Sequence, residues 1–337
     1  MKDLFKIVLI FAAFVFVIPL VGFIGREKNT APPVQTSSET TQTSISAPET
    51  AESTDTDEIF TVFDITSGKV MEMPMKDYLV GAVMAEMPAA YEPEALKAQA
   101  VAAYTYALRR EKLESENPTP ELMGAAISND STKFQAFFTP EQGRAFYGTA
   151  YDEYRRKIAV AVDAVYPEAL FYDDEPIAAA FHSISCGKTE DSAEVWEASF
   201  PYLVSADSEW DEEAPTFYSE NKFTADEIKA AFPDSDFDEN STISVDSLTI
   251  GGYAKRVTVG DKTYSGQEVR TALGLRSSSF TVSYSTADKV FTFSVKGSGH
   301  GVGMSQYGAN CLAKGGKTYR EILEHYYKGC SLKSNYT

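Results

Sequence analysis

The distribution of apolar and polar residues divides the chain into three stretches. Residues 7–25 are apolar and uncharged, whereas residues 29–57 contain almost no large apolar side chain. From residue 58 onward, short alternating runs typical of strands are mixed with runs whose apolar positions recur every three or four residues, as in helices. We therefore expect the folded part of the chain to span residues 58–337.

The pattern in this folded part predicts a hairpin followed by a mixture of helices and strands. Two β-rich runs flank Thr66-Ser67-Gly68, which fits a hairpin turn. Pro93 suits the first position of a helix, where its missing N–H would have no intrahelical partner in any case. Helices are predicted over residues 76–87, 93–110, 225–232, 305–313 and 319–327, and strands over residues 59–63, 69–71, 169–172, 177–182, 256–259, 280–284 and 290–295.

Two further segments complete the predicted architecture. Residues 155–165 fit either a helix or a helix-to-strand junction. Residues 217–240 are polar and acidic, which favours a surface insertion. The order of elements favours an α+β fold, with a mixed sheet and packed helices in a single domain.

The apolar N-terminal segment is just long enough to cross a membrane as a helix. Its 19 residues span about 28 Å at about 1.5 Å per residue. No A-x-A-like cleavage site follows, so we favour an uncleaved anchor over a cleavable signal peptide. Lys2 and Lys6 orient the amino terminus inside. We expect residues 1–28 to form a single-pass anchor, and residues 29–57 to form a disordered tether to an extracytoplasmic domain.

The charge of the chain makes nucleic acid an unsuitable partner. The formal net charge is −19, of which residues 1–28 contribute +2 and residues 29–57 contribute −5, leaving −16 on the remainder. A surface so acidic repels phosphate backbones.

The three cysteines do not define a chemistry. Cys186, Cys311 and Cys330 are too few for a disulfide framework. A pair between Cys311 and Cys330 is one option outside the cytoplasm, and isolated buried thiols are the other.

One carboxylate occupies a position where a helix would normally place a core residue. Leu79, Ala82, Val83 and Glu86 follow the i, i+3, i+4, i+7 spacing of a single helix face. A carboxylate on that face would be desolvated, which raises its pKa towards the range useful for proton donation. The alternative is a helix-end glutamate turned to solvent beside Pro88.

Polar residues on the next helix offer a second candidate feature. Lys97 and Gln99 lie on its polar edge, shortly after Glu86 in sequence. If the two helices pack antiparallel, this edge lines a groove and binds a ligand. An ordinary solvated helix face explains the same residues equally well.

Two histidine segments complete the candidate chemistry. His182 and Ser185 lie in a run of small and polar residues, and His300 lies in a glycine-rich loop that continues to Ser305 and Gln306. That loop lacks the Lys-Ser/Thr pair of a phosphate loop. It fits substrate binding by His300, orientation of Glu86 by His300, or a purely structural turn.

A zinc site is a further option for these segments. His182 and Cys186 have a spacing compatible with zinc, but a structural site needs four ligands, so His300 and His325 would have to converge on them. We therefore predict no metal and no cofactor.

Four segments occur in an order that resembles a known family. They are residues 85–110 (AEMPAAYEPEALKAQAVAAYTYALRR), residues 181–196 (FHSISCGKTEDSAEVW), Pro201-Tyr202-Leu203 and residues 297–309 (GSGHGVGMSQYGA). Together they resemble the stage II sporulation protein D family, which also includes enhancers of cell-wall amidases. The family commonly has arginine where this chain has Tyr104, which puts a charge-assisted contact there in doubt and leaves sugar stacking as an option. It commonly has glycine at Cys186.

This resemblance implies a membrane-anchored lytic transglycosylase acting on peptidoglycan during engulfment of the forespore. It would cut glycan strands whose stem peptides a partner amidase has removed, alongside other engulfment proteins. The family's catalytic glutamate falls on Glu86, as general acid and then base. The expected substrate-binding residues are Lys97, Gln99, His182, Ser185, His300, Ser305 and Gln306. The competing hypotheses are a non-catalytic amidase enhancer and a zinc hydrolase built on His182, Cys186 and His300.

Overall fold

A computed structural model describes residues 58–196 and 198–334 of the chain. The predicted anchor and tether lie outside these residues. Within them, no helix combines the length and the apolar character that crossing a membrane requires.

The described chain begins with the predicted hairpin. Strand β1 (Ile59–Asp64) pairs antiparallel with β2 (Lys69–Pro74), and Val62 lies opposite Met71. A short strand, β3 (Ile127–Ser128), joins β1 in parallel. Phe60, Val62 and Ile127 are fully buried, so the alternation of β1 directs one face of this sheet into the core.

Helices pack against this sheet. The first four are α1 (Met75–Glu86), α2 (Pro93–Glu116), α3 (Pro140–Tyr147) and α4 (Tyr151–Val165). Ala100, Ala103 and Ala107 of α2 are buried, and small side chains permit close approach of neighbouring helices. Segment 155–165 is thus helical, and α3 is a helix that the sequence did not predict.

Short strands connect the helical layer to the rest of the chain. They are β4 (Ala169–Tyr172), β5 (Glu175–Pro176) and β6 (Phe181–His182), followed by the one-turn helix α5 (Ser192–Val195). The strand predicted over residues 177–182 is therefore wrong except at its carboxyl end. Ile177, Ala178 and Ala179 are buried in the main core without strand pairing.

Residues 217–296 build a second hydrophobic core. Their elements are β7 (Tyr218–Thr224), α6 (Ala225–Ala231), β8 (Ile243–Leu248), β9 (Ala254–Val259), β10 (Lys262–Tyr264), α7 (Gly266–Leu273), β11 (Ser279–Ser285) and β12 (Val290–Lys296). The strands form two antiparallel sheets, in the orders β10-β9-β8 and β11-β12-β7.

The segment predicted as a surface insertion belongs to this second core. Ile228, Phe232 and Phe237 are buried there, together with Val257 and Phe293. The mixed α+β character is therefore confirmed. Residues 217–240 are an integral part of the fold because Ile228, Phe232 and Phe237 turn inward.

The chain then returns to the main core. Strand β13 (Met304–Ser305) pairs in parallel with β6, so that Ser305 lies opposite His182. Helices α8 (Gln306–Lys314) and α9 (Tyr319–Tyr326) follow, and β14 (Ser331–Lys333) pairs with β4. This return brings the glycine-rich loop against the histidine segment.

Candidate active site

Glu86 is the last residue of α1, and its side chain points into the protein. It is only 7% exposed. The backbone N–H of Ala136 donates a hydrogen bond of 2.8 Å to Oε1 of Glu86. The helix-face spacing therefore predicted the direction of this side chain correctly, and the solvent-facing alternative is wrong.

A segment that the sequence did not single out surrounds this carboxyl group. The hydroxyl of Tyr78 donates to Oε1 of Gln135 at 3.0 Å, and the N–H of Gln135 donates to the hydroxyl of Tyr106 at 3.3 Å. A charge on Glu86 raises the pKa of both tyrosines, so the three side chains are electrostatic neighbours. Residues 135 and 136 thus form part of the surroundings of the Glu86 carboxyl group.

Burial controls the protonation of this group. Removal from solvent raises the pKa of Glu86 from 4.5 to about 8, against the opposing effect of the Ala136 hydrogen bond. The carboxyl group is consequently mostly protonated at neutral pH. A protonated carboxyl of this kind is able to act as a general acid.

Gln99 and Gln306 contact each other in the interior. Nε2 of Gln306 donates to Oε1 of Gln99 at 3.3 Å, which joins α2 to α8. A second link between the same parts is the N–H of Glu92, which donates to Oδ1 of Asn310 at 2.9 Å. Gln99 is therefore buried between helices instead of lying on a solvated face.

Lys97 has a different environment from Gln99. Its Nζ pairs with Glu94 at 2.6 Å on the same helix and lies 6.0 Å from the ring centre of Tyr319. About a quarter of its side chain is exposed (25%). The structure places Lys97 at a partly exposed edge of α2.

The two predicted histidines form a buried pair. Their ring centres are 5.8 Å apart, and the ring of Trp196 lies 5.3 Å from that of His300. Nδ1 of His182 lies 3.1 Å from the carbonyl oxygen of Val302, and Nδ1 of His300 accepts the N–H of Val302 at 3.1 Å. One residue of the glycine-rich loop thus fixes both rings.

Burial keeps both imidazoles neutral. It lowers the pKa of His182 to about 4 and that of His300 well below 6.5. Since Nδ1 of His182 donates to a carbonyl, its Nε2 is an acceptor, and this buried atom has no hydrogen-bond partner. An acceptor of this kind suits a hydroxyl group of a ligand.

Ser185 and Ser305 meet at a carboxylate that the sequence did not identify. Asp211 accepts the N–H of Ser185 at 2.8 Å, and the nearby hydroxyls of Ser185, Ser305 and Ser208 favour its charged form. Asp211 is fully buried, which raises its pKa. It stands in an acidic run, so nothing in its sequence context distinguishes it from surface carboxylates.

The glycine-rich loop requires glycine for steric reasons at Gly303. Its φ is +73°, and a Cβ there would lie 2.0 Å from the carbonyl oxygen of Ala180. We expect Gly303→Ala to lower the free energy of unfolding by about 3 kcal/mol or more, since both strain and overlap arise. Gly316 has a φ of +88° but open space around it, so Gly316→Ala should cost only about 1 kcal/mol.

Denaturant unfolding of the two variants measures this difference. Equal losses of stability in both would contradict a steric role for Gly303.

The residues considered for zinc are held by other contacts. Sγ of Cys186 lies 3.2 Å from the carbonyl oxygen of Gly251, and Nε2 of His325 lies 2.7 Å from that of Asp207. Among the residues that the structure describes, no three His, Cys, Asp or Glu side chains are grouped as metal ligands would be. All three cysteines are free thiols.

Tyr104 is a core residue. It is 3% exposed, its hydroxyl donates to Glu58 at 3.1 Å, and its ring lies 5.0 Å from that of Tyr166. Stacking of this ring on a sugar is therefore excluded by its burial.

The predicted residues thus fall into two groups. His182, Ser185, His300 and Ser305 lie together around β6, β13 and the glycine-rich loop. Glu86 has its own partners in residues 135 and 136, and neither imidazole is among the groups that shift its pKa. Gln306 follows Ser305 and contacts Gln99 of α2. It therefore connects the glycine-rich loop to the helix that follows Glu86.

Comparisons with known proteins identify the family to which this chain belongs. The family model described as stage II sporulation protein matches residues 65–172. Stage II sporulation protein D of Bacillus subtilis is 34% identical over 271 residues, covering 80% of this chain and 78% of that protein. The corresponding protein of Bacillus amyloliquefaciens is 33% identical over 271 residues. The chain belongs to the stage II sporulation protein D family, as the four sequence segments indicated.

A relative with another name covers a similar part of the chain. The amidase enhancer of Bacillus subtilis is 28% identical over 312 residues, which cover 76% of this chain but 40% of that protein.

Proposed function

We propose that this protein is a membrane-anchored lytic transglycosylase that cleaves peptidoglycan strands already stripped of their stem peptides by a partner amidase, during forespore engulfment. The observation that carries the proposal is the buried carboxyl group of Glu86, whose pKa is raised to about 8. Membership of the family supports the setting in sporulation, and the predicted residues 1–28 would supply the anchor.

A single carboxyl group is sufficient for this chemistry. Hydrolytic glycosidases usually use two carboxylates, one of which activates water or attacks the sugar. In the proposed reaction, protonated Glu86 donates its proton to the glycosidic oxygen as the bond to C1 breaks. The resulting carboxylate then removes the proton of the sugar's own C6 hydroxyl, whose oxygen closes a 1,6-anhydro ring at C1. Glu86 is protonated again at the end of the cycle, so no water is consumed.

The environment of Glu86 supports both half-reactions. Desolvation holds the proton on the carboxyl group until the glycosidic oxygen takes it, and the N–H of Ala136 stabilises the carboxylate that forms. The unpartnered Nε2 of His182 is suited to a sugar hydroxyl. We propose that His182, His300 and Gln306, with Lys97 of α2, contact the glycan strand. The fully buried Ser185, Ser305 and Gln99 would hold these residues in position.

A second candidate function is enhancement of a partner amidase without cleavage. The likeness to the Bacillus subtilis amidase enhancer favours it. An enhancer would need a surface for the glycan or the amidase but no proton on Glu86.

The two candidates predict different outcomes for the purified protein acting alone. On peptide-free glycan strands, a transglycosylase shortens the strands, which chromatography of the products detects. An enhancer leaves them intact and accelerates only an added amidase. We expect shortening by the protein alone, and intact strands at high protein concentration would favour the enhancer.

A further inference from the structure

Arg270 of α7 is a partly buried cation with no anionic partner among the residues that the structure describes. Its Nη1 donates to Oε1 of Gln267 at 3.3 Å, and its Nε is shielded from solvent without a hydrogen-bond partner. No carboxylate of the described residues contributes to its pKa, which burial lowers to about 10. An unpaired buried cation destabilises the folded protein, and a bound anion would reduce that destabilisation.

The position of Arg270 connects the second core to the histidine pair. Its charge lowers the pKa of both His182 and His300, and the hydroxyl of Tyr253 interacts with it. The ring of Tyr253 in turn packs on Gly301, where a Cβ would lie 2.6 Å from it. Helix α7 also packs against Ala254, the residue after Tyr253, since a Cβ at Gly266 would lie 2.0 Å from the carbonyl oxygen of Ala254. The helix that carries Arg270 is therefore connected to the glycine-rich loop through Tyr253, and the charge of Arg270 reaches residues proposed to bind the glycan.

The backbone around the loop also ties this part of the second core in place. The N–H of Gly299 donates to the carbonyl oxygen of Arg276 at 2.8 Å, and Nη1 of Arg276 donates to that of Thr216 at 2.7 Å. Arg276 thus donates a hydrogen bond to the backbone, whereas Nε of Arg270 has no acceptor among the described residues. Arg270 as a whole is only partly buried, so a ligand group is able to reach its guanidinium.

The chemistry of a stripped glycan strand supplies a matching anion. An amidase cleaves the amide that joins the stem peptide to the lactyl group of the muramoyl residue. Cleavage leaves one free carboxylate on every muramoyl residue, where an intact strand has a neutral amide and a bulky peptide. A guanidinium group binds a carboxylate through two parallel hydrogen bonds.

We propose that Arg270 binds the lactyl carboxylate of a muramoyl residue and so makes the protein select strands without stem peptides. This inference rests on the proposed function, because it assumes that the glycan lies along the histidine loop. A fixed cation is needed at such a contact, since a chain of net charge −19 otherwise repels a polyanionic strand.

Binding measurements with two chemically matched glycans test this proposal. The full-length Glu86→Gln protein in detergent is titrated with a peptide-free oligosaccharide and with the same oligosaccharide after conversion of its carboxylates to methylamides. We expect about tenfold tighter binding of the free carboxylate form, the usual gain from a charged hydrogen bond. Equal affinities for the two forms would overturn the proposal, and this comparison needs no variant of Arg270.

Substitutions then assign the preference to one residue. Arg270→Gln should abolish the difference in affinity between the two glycans, while the affinity for the methylamide form stays unchanged. Arg270→Lys should retain part of the difference in affinity. Arg256→Gln, which removes the same charge from an exposed position of β9, should keep the full preference. If Arg270→Gln weakened the binding of both glycans equally, Arg270 would have only a structural role.

A titration with acetate shows whether the ligand of Arg270 is the glycan or any small carboxylate ion. Acetate alone should bind far more weakly than the oligosaccharide, because it lacks the sugar contacts. Equal affinity would identify a small carboxylate as the ligand and contradict the proposal. Since all these measurements are made without cleavage, failure of the transglycosylase activity would not alter their outcome.

Discussion

Glu86→Gln should reduce cleavage of peptide-free glycan by about 10³-fold or more while the protein remains folded. The amide has nearly the shape of the carboxyl group but cannot release a proton to the glycosidic oxygen or accept one from the C6 hydroxyl. Loss of a general acid or base costs typically about 10²–10⁴-fold, and here one residue would perform both roles. Strand shortening measured by chromatography reports the change, and cleavage within tenfold of wild type would contradict the assignment.

A surface glutamate provides the matched control. Glu72 lies on β2 with an exposed side chain. Glu72→Gln makes the same change of charge and should leave cleavage unchanged. A comparable loss in both variants would point to an effect of net charge and not to a role of Glu86 in the chemistry.

Stability measurements separate loss of chemistry from loss of structure. The folded-state pKa of Glu86 is raised from 4.5 to about 8. Wild type therefore loses stability as the pH rises from about 4.5 to 8, since the unfolded chain releases this proton more readily. The neutral glutamine avoids that loss, so Glu86→Gln should be as stable as wild type near pH 4 and more stable at pH 8, by roughly 4 kcal/mol.

The second large effect expected is on the pH dependence of the wild-type reaction. Free enzyme is active with Glu86 protonated, and its pKa is raised to about 8. The value of kcat/KM should therefore be maintained through neutral pH and fall about tenfold per pH unit above pH 8. An exposed glutamate would lose its proton near pH 4.5 and would leave little activity at pH 7.

Initial rates on peptide-free glycan between pH 3 and pH 10 measure this profile. The stability of the fold across the same range is followed in parallel, so that unfolding is not mistaken for titration. A decline centred near pH 4.5 would contradict the burial of the catalytic carboxyl group.

The sequence predicted those parts of the fold that have a strong local period. The hairpin, α1, α2, α8 and α9 appear close to their expected bounds. The same period indicated that Glu86 shares a face with Leu79 and Val83, which are buried with it. Local periodicity was sufficient here because the helix itself decides which way each side chain points.

The contacts that complete the site depend on tertiary structure. Gln135 and Ala136 approach Glu86 from a segment without periodicity, and Asp211 receives its hydrogen bonds from residues distant in sequence. Arg270 lies on an ordinary amphipathic helix of the second core. The sequence pattern predicted the helix over residues 225–232 and the strands near residues 256–259, 280–284 and 290–295 of this core. It did not predict that residues 217–240 belong to the core, because their apolar residues, such as Ile228 and Phe237, are separated by polar residues.

Product analysis in water labelled with heavy oxygen tests the central claim most directly. Peptide-free glycan is digested by the purified protein in labelled water, and the newly formed muramyl ends are examined by mass spectrometry. Transfer of one proton to and from Glu86 predicts 1,6-anhydro-muramyl ends without heavy oxygen. Reducing ends that carry one heavy oxygen atom would show that water attacks the sugar, and would contradict the single-carboxylate mechanism.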